Sequence, residues 1–362
     1  MRRRIAMIAG VLVVAVVAAG LTLRVVGVWG GTDRTAFEQA VRLVPADSQR
    51  YTWTDWAGIR SKLGVELDSD SSNDALRRFL DAGFTADLTS TSGLVESAPL
   101  LQQKFGFSPA SLDWELLAQS TQGAVEVMKV PDSTDMDQLQ DTAAALGYPR
   151  PDDADGVWAG GAQVLGTVAM GTDADGTATP TLQNLAFLAD RHLVLASDSD
   201  SYLREVVDGF DDHAAPVDAV VAHLVEVGGG DPLSAVAFTG DYTCRYLAMA
   251  TADGQTQRQA DQLIEQAGGV SPLSGYAVGD DADGRTRVVL GFSDADRARS
   301  DADSRARLAS GPAAGKGGDY ADLFDLGKVV ADGDLVTMEL TPKPDAYVLS
   351  ELSAGPVLLA TC

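Results

Sequence analysis

The chain has 362 residues, with 52 acidic against 27 basic side chains and a net charge of −25. A surface this acidic repels polyphosphate and anionic lipid headgroups, which argues against nucleic-acid binding and against charge-driven adsorption to membranes. Only six of the basic residues are lysine, while Ala, Asp, Gly and Val abound. That is the composition of a high-GC genome, in which Asp-Ala-Asp-Gly strings arise cheaply.

Arg2, Arg3 and Arg4 precede an uncharged run, Ile5–Leu23, which Arg24 closes. Nineteen such residues at 1.5 Å each make a helix of about 28 Å, close to the ~30 Å hydrocarbon core of a bilayer. The arginines before it hold that end in the cytoplasm. Residues 1–26 therefore read as a cytoplasmic tip and transmembrane anchor, with the lipid bilayer as partner through residues 5–23. Residues 27–34, rich in glycine, read as a linker, and the remainder is expected outside the cytoplasm. A cleaved signal peptide with Val17-Ala18-Ala19 as its small-residue site is the alternative. The apolar run continues past that site with no polar region before it, which favours the anchor. Setting aside the arginines at 2, 3, 4 and 24, the exported part carries −29.

Beyond the linker, Thr35–Leu43 reads as a short helix with Phe37, Val41 and Val44 on one face. Tyr51–Thr54 alternates as a strand that enters a helix at Asp55. Ser108-Pro109 is read as a helix opening with Leu112, Leu116 and Leu117 inward, since proline suits the first turn. Ala124–Val130 follows as a strand. A helix capped by Thr134 or Asp135 then carries Met136, Leu139, Ala143 and Leu146 and stops at Gly147. Strands are expected over Ala162–Ala169, Leu185–Asp190 and His192–Ser197, and helices over Ser199–Asp208 and Ala215–Val227. The last of these is firmly amphipathic, with Val217, Val220, Val221, Leu224 and Val225 on one face.

Gly228-Gly229-Gly230-Asp231-Pro232 punctuates the chain and divides the exported part into halves 35–230 and 231–362. In the second half, Ser234–Thr239 reads as a strand and Gln255–Ala267 as a helix. Ser274–Gly279 and Arg285–Phe292 form a hairpin about Asp281-Ala282-Asp283-Gly284. The helix Asp294–Ser310 has Asp301/Arg305 and Asp303/Arg307 as surface i,i+4 pairs and an inner stripe of Ala295, Ala298, Ala302 and Ala306. A final hairpin turns at Asp332-Gly333, and Pro356–Cys362 reads as a terminal strand. Ala169–Gly176 matches Ala277–Gly284 at six of eight positions, which sets internal duplication against convergent Asp-Gly turns. The expected fold class is α+β, an anchor followed by mixed or antiparallel sheets packed with helices.

Cys244 and Cys362 lie in a compartment where thiols oxidise, so a single disulfide is expected, closing a loop of ~118 residues. The alternative is a nucleophilic thiol activated by His192, His213 or His223. The acidic loops Asp152–Gly156, Asp173–Gly176 and Asp280–Gly284 fail as calcium cages. With glycine at position 6, position 12 is Ala162, Leu182 or Leu290, where a bidentate Glu is needed. Gly311–Lys316 resembles a phosphate loop in outline, but Ser310 and Gly317 stand where glycine and a Mg²⁺-binding hydroxyl belong. No catalytic, cofactor or metal residue is assigned. Tyr51, Trp53, Trp56 and Trp114 suggest either buried core or an aromatic platform for sugar.

Leu43-Val44-Pro45-Ala46-Asp47, and the run Leu185–Ser197 leading into the helix Ser199–Asp208, resemble an uncharacterised family of bacterial exported proteins from high-GC Gram-positives. The resemblance implies an anchored, duplicated α+β ectodomain and brings no activity, ligand or site residue. The function expected is a non-enzymatic envelope role in interaction or scaffolding. One rival is a small-molecule or lipid carrier, marked by an apolar cavity lined by residues such as Phe187, Leu203 and Leu224. The other is an extracytoplasmic hydrolase, marked by a His, a carboxylate and a hydroxyl in hydrogen-bond reach.

Overall fold

The computed structural model describes residues 34–170, 178–210 and 217–362. The anchor, linker residues 27–33, the acidic loop 173–176 and His213 lie outside the described residues. Among the described residues no helix is long and apolar enough to cross a membrane.

Up to residue 230 the elements are α1 (Ala36–Val41), β1 (Arg50–Thr54), α2 (Trp56–Leu63), α3 (Asn73–Thr85), α4 (Ala98–Leu100), β2 (Trp114–Gln119) and β3 (Ala124–Lys129). After these come α5 (Met136–Ala145), β4 (Trp158–Ala159), α6 (Gly161–Met170), β5 (Asn184–Leu188), β6 (Leu193–Ser197), α7 (Asp200–Asp208) and α8 (Ala219–Gly228). The rest of the chain gives β7 (Ser234–Thr239), α9 (Asp241–Leu247), α10 (Gly254–Ala267), β8 (Gly275–Asp280) and β9 (Thr286–Gly291). It ends with α11 (Ala295–Leu308), α12 (Tyr320–Leu323), β10 (Phe324–Asp332), β11 (Leu335–Pro342) and α13 (Val348–Ser353). Side-chain caps start several helices: Thr35 for α1, Asp55 for α2, Ser72 for α3, Asp135 for α5 and Ser199 for α7. Each satisfies a backbone N–H that the first turn leaves without a partner.

All the described strands join one sheet in the order β10-β11-β9-β8-β7-β1-β2-β3-β6-β5-β4. Every pairing is antiparallel. The expected mixture of sheets is thus a single antiparallel one, and it continues across the Gly228–Pro232 punctuation through the β1–β7 pair, with Thr52 opposite Val236. Outward from that pair the two halves follow one plan. β1-β2-β3-β6-β5 and β7-β8-β9-β11-β10 each step outward twice, cross by a helical segment (α5 and α6, with β4 between them, or α11 and α12), and return as a hairpin.

Both faces of the sheet are covered. On the front, α2, α3, α5 and α6 close a core around Trp56, Phe79, Met128 and Phe187, and α10, α11 and α13 close a second around Phe238, Tyr276, Leu290 and Leu349. On the back, α1, α7 and α8 pack Phe37, Leu203 and Leu224 over Trp53, Leu116 and Val289. At the outer edge, β10 carries a bulge between Leu326 and Val329, where Gly327 and exposed Lys328 interrupt the ladder. Such interruptions keep a free edge from templating another strand.

Several expected elements differ. Residues 109–112 make a turn, and Leu116 belongs to β2, not to a helix. That strand is buried on both faces, so its apolar run hides the period of two. Ala162–Ala169 lies within helix α6, where Leu165 and Val168 are buried three apart; a short apolar run does not separate helix from strand by periodicity. Residues 356–362 make no strand. Their carbonyls at Leu359 and Thr361 are bonded by the Arg305 guanidinium instead. In α11 the inward face is Ala298, Asp301, Arg305 and Leu308, so the expected surface pair Asp301/Arg305 is buried. The repeat at a spacing of 108 does not follow the shared plan: Ala169 and Met170 end α6, whereas Ala277 and Val278 lie inside β8.

Candidate functional site

A row of polar side chains crosses the front face at one level. Thr286 on β9 faces Asp280 on β8, Asp280 faces Ser234 on β7, Ser234 faces Thr54 on β1, and Thr54 faces Glu115 on β2. All five are buried. The segment after α3 lies over them: Leu88 O accepts from Ser234 Oγ, and Gly93 N donates to Glu115 Oε1 at 3.2 Å. Trp56 Nε1 donates to Glu115 Oε2 at 2.9 Å, and Thr54 Oγ1 to Oε1 at 3.4 Å. One step along β3, Glu126 is 1 % exposed and neither of its carboxyl oxygens has a hydrogen-bond partner. Burial holds the Glu115 carboxyl up at about 7 despite its donors. Burial and the neighbouring Glu115 hold Glu126 well above the usual carboxylate range.

At the other end of the row a cleft of about 260 Å³ opens between the end of α2, the segment after α3, the β8–β9 turn and the segment after β11. Asp280 forms its floor. Thr286 Oγ1 donates to its Oδ1 at 2.5 Å, and burial pushes its carboxyl up to about 8. Asp87 lies beside it with φ 57°, and its carboxylate accepts from Leu349 N at 2.6 Å, Ser350 Oγ at 2.6 Å and Ser90 Oγ at 3.1 Å. Asp281 is occupied by Arg287 and by its own turn, where Asp283 N and Arg285 N donate to it at 2.8 and 3.0 Å. Phe84, 55 % exposed, packs against Tyr347 with the rings tilted and 5.4 Å apart, and ties two of the cleft's walls together.

The residues singled out in the sequence fall elsewhere. Cys244 and Cys362 form a disulfide across 118 positions. His192 is a left-handed turn residue (φ 52°) between β5 and β6. His223, on α8, has Nε2 3.0 Å from Thr337 Oγ1 on β11 and Nδ1 3.4 Å from Glu226 Oε2. Tyr51, Trp53 and Trp56 are core side chains, with Trp56 on the opposite face from the other two, and half-buried Trp114 packs on Trp53 at 5.3 Å, so the four share no one face. Phe187 likewise lies in the front core and Leu203 and Leu224 in the back core; they line no common cavity. The Asp280–Gly284 loop is a hairpin turn, and Lys316 reaches Ala354 O at 2.7 Å. Among the described residues, no three His, Cys, Asp or Glu side chains converge as a metal site.

No family model matches the chain, and no curated protein matches it. Among solved structures, crystal form I of TP0453 aligns with a TM-score of 0.40 at 6% identity, over 89% of this chain and 98% of that one. Crystal form III of TP0453 aligns with a TM-score of 0.38 at 8% identity, over 86% and 97%. Likeness at that level carries no inference about fold or role.

Sequence reasoning passed over Asp87, Glu115 and Glu126, and read Asp280 only as part of an acidic turn. For the two glutamates a signal was present, a lone carboxylate inside Trp-Glu-Leu-Leu-Ala and Ala-Val-Glu-Val-Met. A charge within a strand otherwise apolar on both faces is buried with its neighbours.

Proposed function

We propose that the protein is held in the cell envelope by one membrane-spanning segment, Ile5–Leu23, with the rest of the chain after it outside the cytoplasm. It works there by binding, in an interaction or scaffolding role, and not by catalysis. The observation that carries the location is the Cys244–Cys362 disulfide, because such bonds persist where thiols are oxidised. Binding is favoured by the use made of reactive groups: both thiols are consumed by the disulfide, while the acidic cleft keeps an open carboxyl. The test is topological. The full-length protein is expected to sediment with membranes, resist carbonate extraction and be degraded by protease added to intact spheroplasts. A mature N-terminus at Gly20 would sink the anchor.

One observation favours the hydrolase as a second reading. Thr337, His223 and Glu226 stand in the order hydroxyl, imidazole, carboxylate that nucleophile activation uses. Their setting fits a helix-to-sheet tie better. Thr337 lies on a strand paired on both sides, by β10 and β9, so its neighbours' N–H groups are spent in the ladder and not offered to an oxyanion. Glu226 is largely exposed, a weak orienter. Replacing His192, His213 and His223 together with Gln is expected to leave biological function intact once expression and melting temperature are matched. A normally folded variant without function would restore the hydrolase.

A further inference from the structure

We propose that the cleft floored by Asp280 takes a primary ammonium group on a short aliphatic stem. Asp280 is more than nine-tenths buried, and only its Oδ1 is committed, to Thr286. Among the described residues Thr286 is the one hydrogen-bond partner of this carboxyl, so its Oδ2 is left to the cleft that the residue lines. The apolar part of its lining is Leu63, Ala86, Leu88, Pro342 and Ala346. A carboxyl at the base of apolar walls suits a cation that carries hydrocarbon, whose stem is desolvated while its head gains a charged hydrogen bond.

The other charged groups that face the cleft leave that position open. Asp87 is saturated by donors from α13 and Ser90 and contributes negative potential. Asp281 is paired with Arg287. Lys62, from α2, spends its ammonium on Ala282 O at 2.7 Å, and Lys343 is held by Asp325 at 2.5 Å. Asp345 stands exposed at the rim. Two resident ammonium groups thus sit at or near the mouth, each turned to another partner, and none reaches the floor.

Binding carries a proton signature. At neutral pH the Asp280 carboxyl is largely protonated, held so by burial. An ammonium docking on it forms a carboxylate–ammonium pair, and the displaced proton passes to solvent, so each binding event releases up to one proton. The inference deepens the binding role proposed above and rests on it, but not on the membrane topology.

The test is calorimetric titration of the full-length protein in detergent with n-butylammonium, and separately with Nα-acetyl-lysine methylamide. The first stands for a free amine and the second for a lysine of a protein partner. Proton release is expected from heats measured in two buffers of different ionisation enthalpy, with tighter binding at pH 9 than at pH 7. Asp280→Asn should weaken binding about tenfold or more, the loss of one charged hydrogen bond. Ala346→Trp, which fills the cleft from its half-buried rim, should abolish binding even if the first variant folds poorly. Binding of both probes assigns the chemistry to either source; binding of butylammonium alone assigns it to free amines. No binding of either probe to the folded wild type overturns the proposal, as does undiminished binding to Asp280→Asn. Neither result would touch the proposed envelope location, and binding of some other ligand elsewhere would leave the wider binding role standing.

Discussion

Three carboxyl groups, on Glu115, Glu126 and Asp280, are taken out of water on the front of the sheet, and each is easier to keep protonated there than in solvent. In the unfolded chain they titrate near ordinary values, about 4. Between that pH and the raised folded values the unfolded chain has released protons that the fold retains. Stability from these groups is therefore full below about pH 4 and declines as pH rises through 7 and 8. Self-repulsion of a surface this acidic acts in the same direction, so a variant is needed to isolate the buried groups. Glu126→Gln places a neutral amide where neither carboxyl oxygen had a partner and offers an N–H₂ toward Glu115. It should raise stability at pH 8.5 by roughly 1–3 kcal/mol, the size of a charged hydrogen bond, and by less at pH 5.5. Melting curves at the two pH values decide it. Parallel losses in wild type and variant would show that Glu126 does not carry the dependence.

Helix α11 shows at the next scale how a sequence pattern and its setting part company. Arg305 is fully buried: its Nη1 donates to Leu359 O at 2.8 Å and Thr361 O at 2.9 Å, its Nη2 to Ser271 O at 2.7 Å, and its Nε to Asp301 at 3.3 Å. The guanidinium thus stands in for a strand partner to the segment 357–362, which the Cys362 disulfide fixes from the other side. Arg305→Met should cost about 3–5 kcal/mol in denaturant unfolding, because Asp301 is left as an unpaired buried charge. Adding Asp301→Asn should recover the share owed to that charge and not the share owed to the bare carbonyls. Equal stability of the single and double variants would show that the charge contributes nothing. Reduction should lower stability by up to ~4–5 kcal/mol for a loop of this length. Thiol labelling of the denatured, unreduced protein should give no signal, and two labelled cysteines per chain would remove the bridge. Elements with one wet face were readable: α7 shows Tyr202, Leu203 and Val206 inward with charges outward, and the β8–β9 and β10–β11 hairpins announce themselves at Asp-Gly turns. β2 and α6 were not, because apolar residues on both faces or in a short run erase the period. The cleft was invisible for another reason. Asp87, Asp280 and Ser350 are brought together by sheet order and by the packing of α13, which no local pattern encodes.

At the scale of the whole molecule, the shared strand plan makes a prediction about how the halves depend on each other. Split at residue 230, each would bare one long strand edge, β1 or β7, where five residue pairs now meet. More than that ladder crosses the split. Asp231 accepts from Ala36 N at 2.9 Å and Phe37 N at 3.0 Å, Trp53 Nε1 donates to Pro232 O at 2.9 Å, and α13 is anchored on Asp87. Helix α8 belongs to the first half by sequence, yet packs Val220 and Leu224 in the core over β8 and β9. Its removal would uncover apolar surface on the second half, and such surface together with an unpaired edge drives aggregation. The halves are therefore expected to fold as one cooperative unit. Fragments 34–230 and 231–362, the latter with its disulfide intact, should aggregate when refolded singly from urea. Refolded together, they should form a one-to-one complex that elutes like the intact region. Asp55 N donates to Leu233 O and Thr239 N to Gln49 O, so by the antiparallel alternation the backbones of Tyr51, Trp53, Ala235 and Ala237 face across the seam. A proline at Tyr51 or Ala237, which removes a seam N–H and strains a central strand, should abolish the complex. Two fragments that each refold as stable monomers would show instead that the plan is shared by two autonomous domains, with the β1–β7 pair a contact between them and not the seam of a single fold.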